Sequence, residues 1–323
     1  MKRVALGILA MAVLGAGGGS CAAPYPYPTT LASNLDNPWG LAVDSANVYW
    51  VNSGDCVTAS GSVMMCAIGG CGDKPTTLAS GLVCPWALAV DATTVYWTSL
   101  GDTNDQPLNG PGAAIGSVMT CPIAGCNNAP TTLVSGIDSP QTLAVDATNV
   151  YWTDPVAQTV DKCAIGGCGN TPTVLASGVG DVLGLAVDAT SVYWAQGSVM
   201  QVPIAGGSPT TLACTDSTDV AVDSANVYCL DSDNPGGMSE APKAAGSAVT
   251  SLWTSSGGVS PVALAVDGTS VYWTSSDNEV RRVPIGGGSV TVVASGPGGA
   301  GQIVVDSANV YWTTETAVVK ISK

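Results

Sequence analysis

The sequence predicts an all-β protein closed into a ring, and three observations carry that expectation. One ten-residue pattern recurs seven times. Each copy continues into further short apolar segments separated by turn residues. The last copy lacks its final segment, while an isolated one stands ahead of the first copy. The copies are LAVDSANVYW (41–50), LAVDATTVYW (88–97), LAVDATNVYW (143–152), LAVDATSVYW (185–194), VAVDSANVYC (220–229), LAVDGTSVYW (264–273) and IVVDSANVYW (303–312). A period in the range of propeller blades predicts one four-stranded blade per copy.

Taken in order, Leu-Ala-Val is a short apolar strand a, and Asp-x-x-Asn/Ser/Thr is a tight turn in which the Asp side chain can accept backbone hydrogen bonds. Val-Tyr-Trp begins strand b. A variable loop leads to strand c, such as SVMMCAI at 62–68, and a Gly-rich hairpin leads to strand d, such as TTLAS at 76–80. The last copy ends at AVVKISK (317–323), and a spare TTLAS lies at 29–33. Pairing that N-terminal strand with the C-terminal blade closes a seven-bladed β-propeller and removes the sheet edges that invite aggregation.

A motif present seven times at equivalent positions is scaffold, because a catalytic constellation occurs once. Tyr and Trp, adjacent on a strand, point to opposite faces and can fill both inter-blade interfaces. The pattern resembles YWTD-type propellers and, more loosely, NHL and gluconolactonase-like propellers, through LAVD…VYWTD at 143–154 and LAVD…VYWT at 88–98 and 264–274. The resemblance implies that the repeated residues are structural. YWTD propellers have six blades, so seven copies depart from the pattern and no function is carried over.

Lys2 and Arg3 precede an apolar run from Val4 to Ala16, too short to span a bilayer as a mature helix, and GGGSC follows at 17–21. The organisation expected is an export signal over 1–20, a Pro-rich tether over 21–28 and the propeller over 29–323. Cys21 resembles the lipid-acceptor cysteine of bacterial lipoproteins, although Gly18 stands where such signals usually carry Leu. The expected address is the bacterial envelope, as a secreted protein or an outer-membrane or cell-surface lipoprotein. Such a monomer would touch the membrane only through its lipid.

Eleven cysteines leave ten once Cys21 is set aside. Cys66/Cys71, Cys121/Cys126 and Cys163/Cys168 sit across c–d hairpins, where facing Cα atoms fall within disulfide range. Zinc is the rival reading, but export favours disulfides and the chain has no His to help a metal site. Cys56 with Cys84, and Cys214 with Cys229, pair by position in the repeat.

A net charge of −15 argues against nucleic-acid binding. Seven of the 24 acids are the turn aspartates, and fourteen more fall in or beside the d–a and b–c loops of one face. Among these are Asp55, Asp102, Asp105, Asp154, Asp231, Asp233, Asp277 and Glu315. The expectation is a strongly acidic face for divalent cations or basic partners, the bland alternative being a solubilising rim. Calcium is the cation its chemistry favours, with DSDNPGG at 231–237 and GDTND at 101–105 supplying Asp231, Asp233, Asp102 and Asp105. No cofactor is otherwise expected.

The residue two before each strand-a apolar triplet is Trp39, Trp86, Gln141, Leu183, Thr218, Val262 or Gly301. Two neighbouring indoles at a channel entrance, with Gln141 next to them, could form a stacking platform for a sugar or another flat ligand, ordinary blade packing being the alternative. Without His, Ser-His-Asp and Cys-His chemistry is unavailable. Streptogramin-lyase-like activity is expected to need a catalytic His, and Glu240, Glu279 and Glu315 lie outside the a strands, where gluconolactonase-type chemistry would need one. The leading expectation is a non-catalytic exported propeller that binds an extracellular or periplasmic protein, a glycan or a cation through its d–a/b–c face. The alternatives are a metal-dependent hydrolase or lyase at the channel mouth, and a lectin-like adhesin using Trp39 and Trp86.

Overall fold

The computed structural model describes residues 27–101, 116–231, 236–296 and 298–323. The described chain is all-β, with 26 strands in antiparallel sheets. Two strands of thirteen residues each do double duty. Ser191–Pro203 runs through b and c of blade 4, and Thr210–Val222 runs from d of blade 4 into a of blade 5. These two link blades 4 and 5 into one six-stranded sheet; the other five blades are separate four-stranded sheets. The total is seven blades.

Every blade shares one register. Strands a and b pair as Leu41↔Trp50, Leu88↔Trp97, Leu143↔Trp152, Leu185↔Trp194, Val220↔Cys229, Leu264↔Trp273 and Ile303↔Trp312. The spare N-terminal strand, Thr29–Ala32, pairs with Val318–Ser322 through Thr29↔Lys320 and Thr30↔Val319, so it supplies strand d of blade 7.

Apolar clusters lie between blades, and each joins the Tyr of one blade to strand b of the next. Tyr49 meets Trp97, Tyr96 meets Trp152, Tyr151 meets Trp194, Tyr228 meets Trp273 and Tyr272 meets Trp312. Tyr311 of blade 7 meets Trp50 of blade 1, which closes the ring. At the remaining interface Tyr193 meets the Cys214–Cys229 disulfide, which fills the place of the missing indole.

The turn aspartate does more than an Asx turn. In blade 3, Asp146 Oδ1 accepts the N–H groups of Thr148 and Asn149, and Oδ2 accepts the Tyr151 hydroxyl at 2.7 Å. The Tyr–Asp bond recurs in all seven blades. Burial opposes the charge of Asp146, but these donors more than offset it and hold its carboxyl below the usual range. Burial and the same carboxylate push the Tyr151 hydroxyl up. A hydrogen bond to a charged group contributes about 1.5–3 kcal/mol, so one Asp ties the a–b turn to the inter-blade core.

All five expected disulfides are formed, and the three hairpin pairs each have a Cα separation of 5.5 Å. They place the protein among exported proteins of an oxidising compartment. Each of these three hairpins also clasps the blade before it. Asp73, Asn128 and Asn170 take left-handed φ values of 58°, 58° and 61°, which Asp and Asn tolerate best after Gly. From there their side-chain oxygens accept the N–H groups of Ser33, Ser80 and Ser135, which lie in or just beyond strand d of the preceding blade.

Candidate ligand site at the channel mouth

The a strands surround a central channel whose two ends differ. The end opposite the d–a loops is lined by aliphatic residues alone, among them Val43, Val90, Val145, Val187, Val266 and Val305. At the d–a end lies a cavity of about 200 Å³ with a mixed lining, in which Trp39, Trp86, Gln141, Thr142, Asp219 and Gln302 carry the polarity. The structure thus brings together all three residues singled out for the mouth.

Trp39 and Trp86 touch, with ring centroids 5.1 Å apart and planes inclined by 32°. Both are half-buried, and Trp39 also packs on the core between blades 1 and 2, so the platform and packing readings coexist. Gly40 makes the approach feasible: a Cβ there would lie 2.5 Å from the Trp86 carbonyl oxygen. Pro38 and Pro85 open the two a strands, at the position where a strand tolerates a residue without an N–H.

Asp219 was missed by sequence reasoning. It stands one residue before the blade 5 triplet, where the other blades carry Gly40, Ala87, Thr142, Gly184, Ala263 and Gln302. Listing that next position across the repeat would have exposed it as the one charged member. Its Oδ1 accepts the N–H of Val220 at 2.8 Å, and its Oδ2 accepts that of Leu264, in blade 6, at 3.1 Å. Burial outweighs both donors and pushes its carboxyl up to about 7. The side chain nests against Gly184, where a Cβ would lie 2.2 Å from Oδ1.

The acidic face is thinner than charge counting implies. Asp154, 2% exposed, accepts the N–H groups of Val156, Ala157 and Asp138. Asp55 accepts those of Val57 and Thr58. Arg281 reaches from strand c into the b–c loop and pairs with both Asp277 and Glu279. Asp36, Asp138 and Asp181 remain exposed on d–a loops, and Asp216 is exposed where the strand Thr210–Val222 passes from d to a. Asp181 and Asp216 also line a hollow of about 520 Å³ that shares Gln141 and Leu183 with the mouth cavity.

Of the four residues considered for calcium, Asp102, Asp105 and Asp233 lie outside the described residues, as does Cys21. Asp231 closes strand b of blade 5 and lines a cleft beside Cys214 and Trp253. Among the described residues no three acidic or Cys side chains converge as metal ligands would.

No family model matches this chain, and no curated protein sequence matches it. Solved structures do. A catalytically inactive histidine-to-alanine form of virginiamycin B lyase from Staphylococcus aureus, with quinupristin, is 9% identical, with a TM-score of 0.70 over 92% of this chain and 98% of that one. The WD40 propeller domain of Doa1 is 14% identical, with a TM-score of 0.68 over 93% and 97%. A chain of a nidogen/laminin complex is 17% identical, with a TM-score of 0.51 over 62% and 83%. What these proteins share with this chain is the β-propeller fold.

Proposed function

We propose that this chain is an exported binding propeller whose ligand enters the d–a mouth of the channel and leaves unchanged. The observation that carries the reading is the mouth itself: two touching indoles, two glutamines and one carboxylate converge on a single cavity, while the far end of the channel is aliphatic. Concave sites with aromatic walls and a few converging polar groups are where ligands bind. Lyase activity of the virginiamycin type does not follow from the likeness. The inactive form of that enzyme lacks a single histidine, and this chain has none.

The Cys21 lipid and the tether belong to the same proposal. Strand d of blade 7 runs towards the d–a loops, so a lipid on the short APYPYP tether anchors the opposite face. The mouth then points away from the membrane. Tryptophan emission, titrated with neutral oligosaccharides, alkylammonium ions and calcium, tests the site. At least one probe class is expected to shift the wild-type signal and to bind the Trp39→Ala/Trp86→Ala variant at least tenfold more weakly by calorimetry, the variant melting cooperatively. Equal binding of every probe to both proteins contradicts the proposal.

A further inference from the structure

Among the described residues, Asp219 brings a charge into the mouth that no protein cation answers. Its two hydrogen-bond donors are neutral backbone N–H groups. Among the described residues the ion pairs use Asp188, Asp267, Asp277 and Glu279, and no Lys or Arg lines the mouth cavity. A half-buried carboxylate in such a cavity is stabilised by a positive partner, and its remaining lone pairs are free to accept N–H donors. The rest of the cavity asks for the same sign. The faces of Trp39 and Trp86 are the negative ends of ring quadrupoles and attract cations. The exposed carboxylates of Asp181 and Asp216 line the adjoining hollow and draw cations inward.

We infer that the mouth cavity takes a small organic cation, an alkylammonium whose nitrogen sits on Asp219 and whose apolar body lies against Trp39 and Trp86; this rests on the binding role proposed above. A cavity of about 200 Å³ is of the order of the roughly 150 Å³ engineered cavity that binds benzene, so a single small ring with one substituent is in scale with it. Three other ligand classes fit less well. An anion meets the carboxylate, and a neutral sugar leaves its charge uncompensated. A calcium ion needs six to eight oxygens, usually with several carboxylates, and finds one carboxylate here.

The test is a calorimetric comparison of cyclohexylammonium with cyclohexanol, its neutral analogue of equal heavy-atom count, on the disulfide-intact mature chain. The ammonium is expected to bind at least tenfold more tightly than the alcohol. Asp219→Asn should remove that preference, and Trp39→Ala/Trp86→Ala should weaken both probes. Asp219 is the one titratable group lining the cavity, and Asp181 and Asp216 line the adjoining hollow. Cyclohexylammonium binding should therefore weaken as pH falls from 8 to 6, because protonation of Asp219 removes the partner charge. Equal affinity for the two probes, or no binding of the ammonium, overturns the inference on the wild-type chain alone, whatever the variants do. If cellobiose binds in a Trp39- and Trp86-dependent way and neither cyclohexyl probe does, the cation reading falls and the binding role of the mouth stands.

Discussion

Blades 1 to 3 and blades 4 to 7 are built on one repeat but are joined by different forces. In the first group the c–d hairpins are closed by Cys66–Cys71, Cys121–Cys126 and Cys163–Cys168, and Cys56–Cys84 links blades 1 and 2. The hairpin of blade 1 also clasps Ser33, beside the closing strand, so the seam of the ring lies under a covalently fixed hairpin. In the second group the hairpin positions hold Val202/Gly207, Ala241/Gly246 and Val283/Gly288. Lys243 and Lys323 there cross to Asp188 and Asp267 of the preceding blade, their ammonium groups 5.0 and 4.9 Å from the ring centroids of Tyr193 and Tyr272. The shared Tyr–Trp core makes the ring, and each half adds a lock with its own sensitivity. One answers to reductant alone, the other to acid and salt as well as to reduction of Cys214–Cys229 between blades 4 and 5.

The largest expected effect is reduction. On chain-entropy grounds each short hairpin disulfide contributes about 2 kcal/mol and the longer Cys56–Cys84 loop about 3.5 kcal/mol. Four of the five bonds lie in blades 1 to 3. Melting with and without a phosphine reductant should show a loss of many degrees, and an unchanged Tm breaks the comparison.

Next in size is the element both halves share. Asp146→Ala in blade 3 and Asp306→Ala in blade 7 each remove two backbone caps and a Tyr bond, at an expected cost of about 3 kcal/mol in either half. Urea titration of both variants checks this. A cost confined to one half would mean that the locks, not the core, set local stability.

Acid should act on the second half. Burial opposes the charges of Asp188 and Asp267, but Lys243 and Lys323, together with the N–H and hydroxyl donors of the turn, outweigh it and hold both carboxyls well below the usual range. For depressed carboxyls the added stability is present above the unfolded value of about 3.9 and is lost as pH falls through the lower folded values. Asp188→Asn should therefore cost about 1 kcal/mol at pH 7 and progressively less below pH 4, because the pair is partly screened by solvent. A variant whose deficit is the same at pH 7 and pH 2.5 contradicts the assignment. Smallest is Lys243→Met, expected to cost less than about 1 kcal/mol at low ionic strength and still less in 1 M salt.

Much of this was legible in the sequence because repetition makes position readable. Seven aligned copies yielded the blade count, the closing strand, the scaffold role of Tyr and Trp, and the five cysteine pairs. The Tyr–Asp bond escaped, because alternation on a strand says which way Tyr49 points and not where its hydroxyl ends. Asp219 escaped because it stands one position beyond the indoles, in a column otherwise of small or neutral residues. The acidic face was overcounted for a different reason. Sequence gives the number of carboxylates, but only the folded loop shows that Asp154 and Asp55 bind their own backbone and that Arg281 returns to Asp277 and Glu279.

The most direct test of the two-lock ring is amide hydrogen exchange of the mature chain, read blade by blade, before and after reduction. Protection is expected to fall first in blades 1 to 3 and at the closing strand Thr29–Ala32, while the a and b strands of blades 6 and 7 exchange last. Uniform loss of protection around the ring would contradict the account, showing that the disulfides stabilise the propeller as a whole and lock no particular part of it.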